Sequence, residues 1–401
     1  MKIKKEPWIV KIDIIQFIIF LYITSLYSIY GKYRIIVEFG CIGVLFLNVM
    51  KNKISISFIR RNYYFVWGTL FAFWCFLSVI FGESYKSSLY GTRGIVECLL
   101  CGLVISCYIN SYDSLIKIFK YMLFSSYFLL IKVLVTVPYE AILSRTFSDT
   151  LNANSIGMRF AISCLILFCL YLQRLINWKY FVLSYIVFML GTLFTGSRKA
   201  LFIFLCGSIL ILVFRAKNIL NLIIFLMLAI TLAIACYYVI MNIELFYEMI
   251  GRRVQGLINV FLYGKNRGDA STQERIYLIS VALDYWKKKP LLGYGINSFG
   301  EIVRYSNYGR INLYSHCNYV ELLFGVGVFG TLIYYSLHCW MIIKSIKLIR
   351  KNYYIQLLVS IITTILFIDI GLVSYGDEFI QFIMMLLSNI LFWTRNEKKF
   401  S

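Results

Sequence analysis

Three side chains in this sequence combine a charge or a proton-accepting nitrogen with a boundary setting. They are Arg198 in LFTGSRKALF, Arg275 in DASTQERIYLISVALDYWKKKPLLGYGINSFG, and His316 in SHCNYVELLFGVGVFG. Arginine is always charged and presents a planar fork that matches phosphate oxygens. A neutral imidazole near its reference pKa can take a proton from a hydroxyl. Glu321 stands about one turn beyond His316, placed to orient it or to pair with an arginine, and Asn318 lies between them. Arg159, close to Asn152 and Asn154, adds a third cation. Arg252 and Arg253 add two more at the start of a long polar segment, where they also suit lipid headgroups. Each residue has a plainer reading: a snorkelling cation for Arg198, a solvated helix charge for Arg275, an interfacial ring for His316. Together they describe a cation-rich cavity with one histidine, suited to a lipid pyrophosphate whose leaving group the arginines stabilise.

The elements that must position these residues are membrane helices. The 401-residue chain is 60% hydrophobic and 15% charged, with three prolines, and its mean hydropathy is +0.77. A soluble domain is nearer half apolar and about a quarter charged. Many apolar runs approach the ~20 residues that cross ~30 Å of hydrocarbon. The expected fold is all-α and polytopic, with twelve spans at about 12–30, 34–50, 63–81, 94–109, 115–137, 155–173, 179–195, 199–214, 219–241, 317–341, 354–373 and 378–393. The first of these lacks a small-residue cleavage site and reads as a span rather than a cleavable signal. The organisation is then nine spans over 1–241, one long loop over 242–316, and three spans with a tail over 317–401.

The net charge of +21 falls in short connections, which speaks for topology and against nucleic acid. Lys51, Lys53, Lys117, Lys120, Arg174, Lys179, Arg215, Lys217, Lys344, Lys347, Arg350 and Lys351 all lie on the face that carries both termini. The positive-inside rule makes that face cytoplasmic and the long loop extracytoplasmic. Within the loop, Ser271 and Glu274 have capping-box spacing. An amphipathic helix is expected from about Thr272 to Lys288, stopped by Pro290, with Ile276, Ile279 and Leu283 as its apolar stripe. Gly293, Gly295 and Gly300 then allow a compact turn. This turn follows no strand and does not bind nucleotide. Lys132 and Glu97 are a candidate internal pair. Gly327 and Gly330 are assigned to helix packing. His316 and His338, 22 residues apart, would lie roughly 33 Å apart on one straight helix, which excludes a shared metal. Ten of the eleven cysteines sit in apolar spans as small hydrophobes, and only Cys317 stands near a water boundary.

At these residues the chain resembles the O-antigen polymerase/ligase superfamily. TGSRKALF is similar to that family's GSR segment. QERIYLISVALDYWKKKPLLGYGINSF is similar to its arginine-led helix with a Pro-Leu-x-Gly-x-Gly turn. SHCNYVELLFGVGVFG is similar to its His-Asn-x-Tyr segment, and SDTLNANSIG to an Asn-rich outer segment. The resemblance implies a membrane glycosyltransferase acting on polyprenyl-pyrophosphate-linked oligosaccharide, without metal, nucleotide sugar or other cofactor. It implies that Arg198 and Arg275 contact pyrophosphate and that His316 acts at the acceptor hydroxyl. Arg159, Arg253, Asn154, Asn318 and Glu321 are then substrate-binding candidates. The setting would be a bacterial inner membrane, with a chain-length regulator and a flippase as partners. Cys317 stands where the family often has asparagine, and Gly325 where ligases often carry an acidic residue. These departures put a repeat-unit polymerase first. A ligase, or a non-enzymatic flippase of the same lipid-linked sugars, stays open.

Overall fold

The computed structural model describes residues 13–28, 32–52, 62–138, 140–141, 152–264, 270–304 and 313–400. Every regular element among them is helical. A helix lies at the position of each expected span: α1 Ile14–Ser28, α2 Lys32–Lys51, α3 Tyr63–Phe81, α4 Tyr85–Ser106, α5 Tyr112–Thr136, α6 Ala153–Leu172, α7 Trp178–Phe194, α8 Arg198–Arg215 and α9 Ile219–Asn242. After α10 Arg252–Tyr263, α11 Ala270–Trp286 and α12 Phe299–Val303 come the last three, α13 Asn318–Ser345, α14 Tyr353–Ile368 and α15 Glu378–Phe400. Among the described residues seven helices are long and apolar enough to cross a membrane: α2 from Tyr33, α3, α4, α5, α6, α9 and α13. Ile14–Ser28, Trp178–Phe194, Tyr353–Ile368 and Glu378–Thr394 are apolar but shorter. α8 carries Arg198, Lys199 and Arg215 at its ends.

Several helices start where their caps dictate. Asn62, Ser111, Asn152, Asn177, Ser197 and Asn218 each accept a backbone N–H of the first turn, which satisfies donors that have no partner within the helix. α4 begins well before residue 94, so Lys86 and Arg93 are helical rather than in a loop. Arg93 pairs with Glu97 one turn on, at 2.5 Å. Lys132 donates to the Ser28 carbonyl at 2.6 Å, so each member of the expected Lys132–Glu97 pair has a partner near its own helix.

The helices form two compact units built from discontinuous segments. One holds α1, α2, α5 to α9 and the start of α14. Its centre is α6, which is buried along nearly its whole length and packs on α5, α7 and α8. Ser126 and Ser163 join α5 to α6 by a 2.6 Å hydroxyl bond. The other unit holds α3, α4, α10 to α13, the end of α14, and α15. In it α3 packs on α4 and α13, α15 on α4, and α11 on α13.

α13 departs from the expected single rod. Gly327 has φ 66° and ψ −172°, and two helical pieces meet there. A break frees backbone groups that hydrocarbon cannot satisfy, so it survives only where protein supplies partners. The turn after Pro290 supplies them. Tyr294 N donates to Phe324 O at 2.8 Å, Gly295 N to Gly325 O at 2.7 Å, and Val328 N to Pro290 O at 2.9 Å. Trp74 Nε1 reaches Val326 O at 3.0 Å. Gly327 thus serves a backbone conformation that β-carbons disfavour, not helix packing; a Cβ there would sit 2.1 Å from Leu291 O. Gly330 does pack closely, against Trp74. With α13 interrupted, the straight-helix separation of His316 and His338 does not apply.

α14 is likewise shorter than expected. It ends at Ile368, and residues 369–377 are non-helical, with Asp369, Ser374 and Tyr375 buried and Ile370 exposed. Asp369 therefore lies beyond a helix end, not within a span. α11 runs from Ala270 rather than Thr272 and ends at Trp286. Ser271 is thus inside the helix, and the expected capping box does not start it. Its buried face centres on Leu278 and Ala282, with Ile279, Val281, Leu283 and Tyr285 at the margins and Tyr277 exposed. This face packs onto Tyr294, Phe299, Val320 and Phe324, so α11 lies over α13.

Candidate active site at the start of α13

The chain enters α13 through Tyr314, Ser315, His316 and Cys317. His316 has φ 61°, a conformation uncommon for a residue with a side chain. Four contacts hold it. Glu321 Oε2 accepts the Ser315 N–H at 2.7 Å. The Ser315 hydroxyl donates to Cys317 O at 3.0 Å and accepts from Cys317 N at 3.4 Å. Asn318 N donates to Asp369 O at 2.8 Å. Glu321 therefore orients His316 through the backbone of the preceding residue, a relative of the capping box. Glu321, Ser315 and Cys317 are buried; Cys317 is not at a water boundary.

Asn318 is the pin of this turn. Its Nδ2 donates to Tyr335 Oη at 2.8 Å and to Asp369 Oδ2 at 3.2 Å. Its Oδ1 accepts Ser374 N at 2.9 Å and Tyr375 N at 3.0 Å. Two donors and two acceptor sites fill an amide's capacity. Tyr335 Oη also donates to Asp369 Oδ2 at 3.2 Å. The non-helical 369–377 segment is thus tied to the start of α13.

Arg275 projects from α11 with its Nε buried and without a hydrogen-bond partner. Burying a charged donor without partners is costly, so this nitrogen is poised for an acceptor. Tyr314 links it to the histidine. Desolvation raises the Tyr314 pKa and the Arg275 charge lowers it, while Glu321 raises it. The Tyr314 and His316 rings stand 4.0 Å apart at 46°. The structure therefore gathers Arg275, Tyr314, His316 and Glu321. Sequence reasoning missed Tyr314, though its place two residues before His316 was a usable signal. Arg253 lies at the start of α10 in the same unit, half-buried.

The other candidates lie in the unit that holds α1, α2 and α5 to α9. Gly196 takes φ 57°, and Ser197 caps α8, accepting from Ala200 N at 3.3 Å. Arg198 is then the first residue of α8 rather than part of a loop. Ser197 Oγ also donates to Asn154 Oδ1 at 3.0 Å, which ties the first turn of α6 to the GSR turn. Arg159 points into the bundle. Its Nε donates to Leu26 O at 2.9 Å, one of its terminal nitrogens to Ser155 O at 3.0 Å, and the same nitrogen contacts Ser155 Oγ. A cation at the end of α1 complements that helix's dipole. Residues 148–151 of the Asn-rich segment lie outside the described residues.

Residues 183–335 match the family model described as O-antigen ligase. This segment holds Arg198, Arg275 and His316 and the whole passage from α8 to the Gly327 break. Over these residues the chain is similar to the O-antigen polymerase/ligase superfamily. The match supports a membrane enzyme of the O-antigen ligase or polymerase type. No curated protein matches the chain. Among the described residues no group of three or more His, Cys, Asp or Glu side chains comes together to hold a metal.

Proposed function

We propose that this enzyme moves a glycan from a polyprenyl-pyrophosphate donor to a sugar hydroxyl on the outer face of a bacterial inner membrane. The observation that carries the reading is the meeting of Arg275, Tyr314 and the positive-φ His316 at the start of α13. The acceptor oxygen forms a bond to the anomeric carbon as the bond from that carbon to the pyrophosphate oxygen breaks. The acceptor proton passes to the His316 imidazole. The leaving pyrophosphate gains charge, and a partnerless arginine nitrogen is the group that stabilises it most as the charge develops. Arg198, on its own helix start, is a second pyrophosphate contact by the resemblance. Asn318, Glu321 and Arg159 act as positioning residues, because each has its polar atoms engaged inside its own unit. Arg253 and Asn154 remain substrate-contact candidates.

A repeat-unit polymerase is the first form of this reading, with lipid-linked repeat unit as both donor and acceptor. A ligase is the second, favoured by the description of the matching family. One experiment separates them. The purified protein is incubated in nanodiscs with one defined polyprenyl-pyrophosphate repeat unit, and the products are resolved on a gel. A ladder from that substrate alone establishes a polymerase. Single transfer only after a lipid-core acceptor is added establishes a ligase. Arg275→Ala should lower either product by roughly 100-fold or more, the scale of losing one transition-state donor. Neither product, beside an active control enzyme, overturns the reading in favour of transport.

A further inference from the structure

A second candidate site lies in the unit that holds α9, and it shares no residue with the candidate active site. The connection between α8 and α9 and the segment before α14 border an open-sided pocket of ≈ 410 Å³, within the ~300–1,000 Å³ usual for ligand pockets. Lys217 and Arg350 line it, and no carboxylate does. The rest of its wall is Asn218 with apolar groups, chiefly Phe214, Ile219, Leu222 and Ile349. Asn218 spends its side chain on the N–H of Asn221, at 2.8 Å. The N–H groups of Ile219 and Leu220 precede the first intrahelical bonds and face the end of a 24-residue helix whose dipole is positive there. From this rim α9 exposes Ile219, Leu220, Ile223, Ile224 and Met227. Two cations therefore sit at the head of a continuous apolar track.

We infer that this pocket binds an anionic phospholipid. Its phosphodiester would be held by Lys217, Arg350 and the first N–H groups of α9, and its acyl chains would run down the exposed side of that helix. A soluble anion makes no use of the apolar track, and a zwitterionic lipid brings an ammonium toward two cations. Basic pockets between membrane helices recognise acidic headgroups in this way. The inference does not depend on the glycosyl-transfer reading, since no residue is shared. The pocket also brings together two connections that the charge pattern assigns to the same membrane face.

The test is native mass spectrometry of the full-length protein released from nanodiscs of equimolar phosphatidylcholine and phosphatidylglycerol. Retained phosphatidylglycerol should exceed phosphatidylcholine. K217A and R350A should each lower that preference about fivefold, and together about 30-fold, from roughly one surface-cation contribution apiece. K217R/R350K, which keeps the charges, should retain it, which separates charge recognition from loss of fold. The inference is overturned if the double alanine variant keeps the preference or the charge-retaining variant loses it. It is also overturned if inorganic phosphate at constant ionic strength displaces the retained phosphatidylglycerol, which would make the pocket a soluble-anion site.

Discussion

α9 and α13 are both apolar enough to cross a membrane, and the molecule treats them in opposite ways. α9 is the more hydrophobic of the two, yet none of its most apolar stretch is buried, whereas more than half of α13's is. α9 runs unbroken, and its apolar side chains face outward along its length. α13 is interrupted at Gly327, patched by the Pro290–Gly295 turn, and anchored at its start by Asn318, Glu321 and Asp369. Hydrophobicity measures how readily a segment enters lipid. Chemistry sits where a segment departs from that ideal, because irregular backbone and buried polar groups persist only when other elements satisfy them.

The sharpest way to break this contrast is at Gly327. A Cβ there would meet Leu291 O at 2.1 Å and Leu292 N at 2.6 Å, on a backbone with φ 66°. Gly327→Ala should cost about 4 kcal/mol or more, in the range reserved for lost special backbone positions. Thermal unfolding in detergent should show it as loss of the folded, monodisperse species. Ile234→Val in α9, at a residue 62% exposed, should stay within about 0.5 kcal/mol of the parent. Equal effects at the two sites would show that the break is not structural.

The next effect is expected at Asn318. Asn318→Ala strands two backbone N–H groups and the Tyr335–Asp369 pair in a buried setting. The expected cost is roughly 2–4 kcal/mol, from about 1–3 for each buried group left without a partner. Because the same contacts fix the turn that carries His316, glycosyl transfer should fall further than the lost stability explains. Activity measured well below the unfolding transition checks this. Full activity there would leave Asn318 as a fold residue alone.

These two residues also mark what the sequence could and could not disclose. The all-helical, apolar character was legible, because long apolar runs are a strong signal, and seven of the expected spans have helices of membrane length among the described residues. The Gly293 and Gly295 turn was legible too, and both glycines take positive φ. The break at Gly327 was not, since neither hydropathy nor period registers one backbone angle, and glycine in a membrane helix has packing as its ordinary use. The Asn318–Asp369 pairing joins residues 51 apart, and a single sequence offers no pairing information at that distance. Ser271 and Glu274 had the right spacing for a cap, but the helix begins one residue before Ser271. Arg198, Arg275 and His316 were singled out by residue type and motif. Tyr314, between two of them, passed for one of 32 tyrosines.

The smallest effect lies at the rim of the α13 side and concerns pH. α12 packs on α13 and carries Glu301, whose Oε2 accepts the Ser84 hydroxyl and the Ser87 hydroxyl, the latter at 2.6 Å. Those bonds favour the carboxylate, so its pKa falls below the ordinary glutamate value, with Ser84 the larger cause. A depressed folded pKa contributes stability that is fully present above the unfolded value of about 4.3. That stability is lost as pH falls from there through the lower folded value. Unfolding midpoints measured from pH 6 downward should therefore drop on the acid side of about pH 4.3, and Glu301→Gln should remove part of that slope. The change should be small, because the group is exposed and solvent screens it. α9 carries no carboxylate between Ile219 and Asn242, so no substitution along it should alter the acid limb. An acid slope identical in Glu301→Gln and the parent would show that the serine bonds at this rim do not hold in solution.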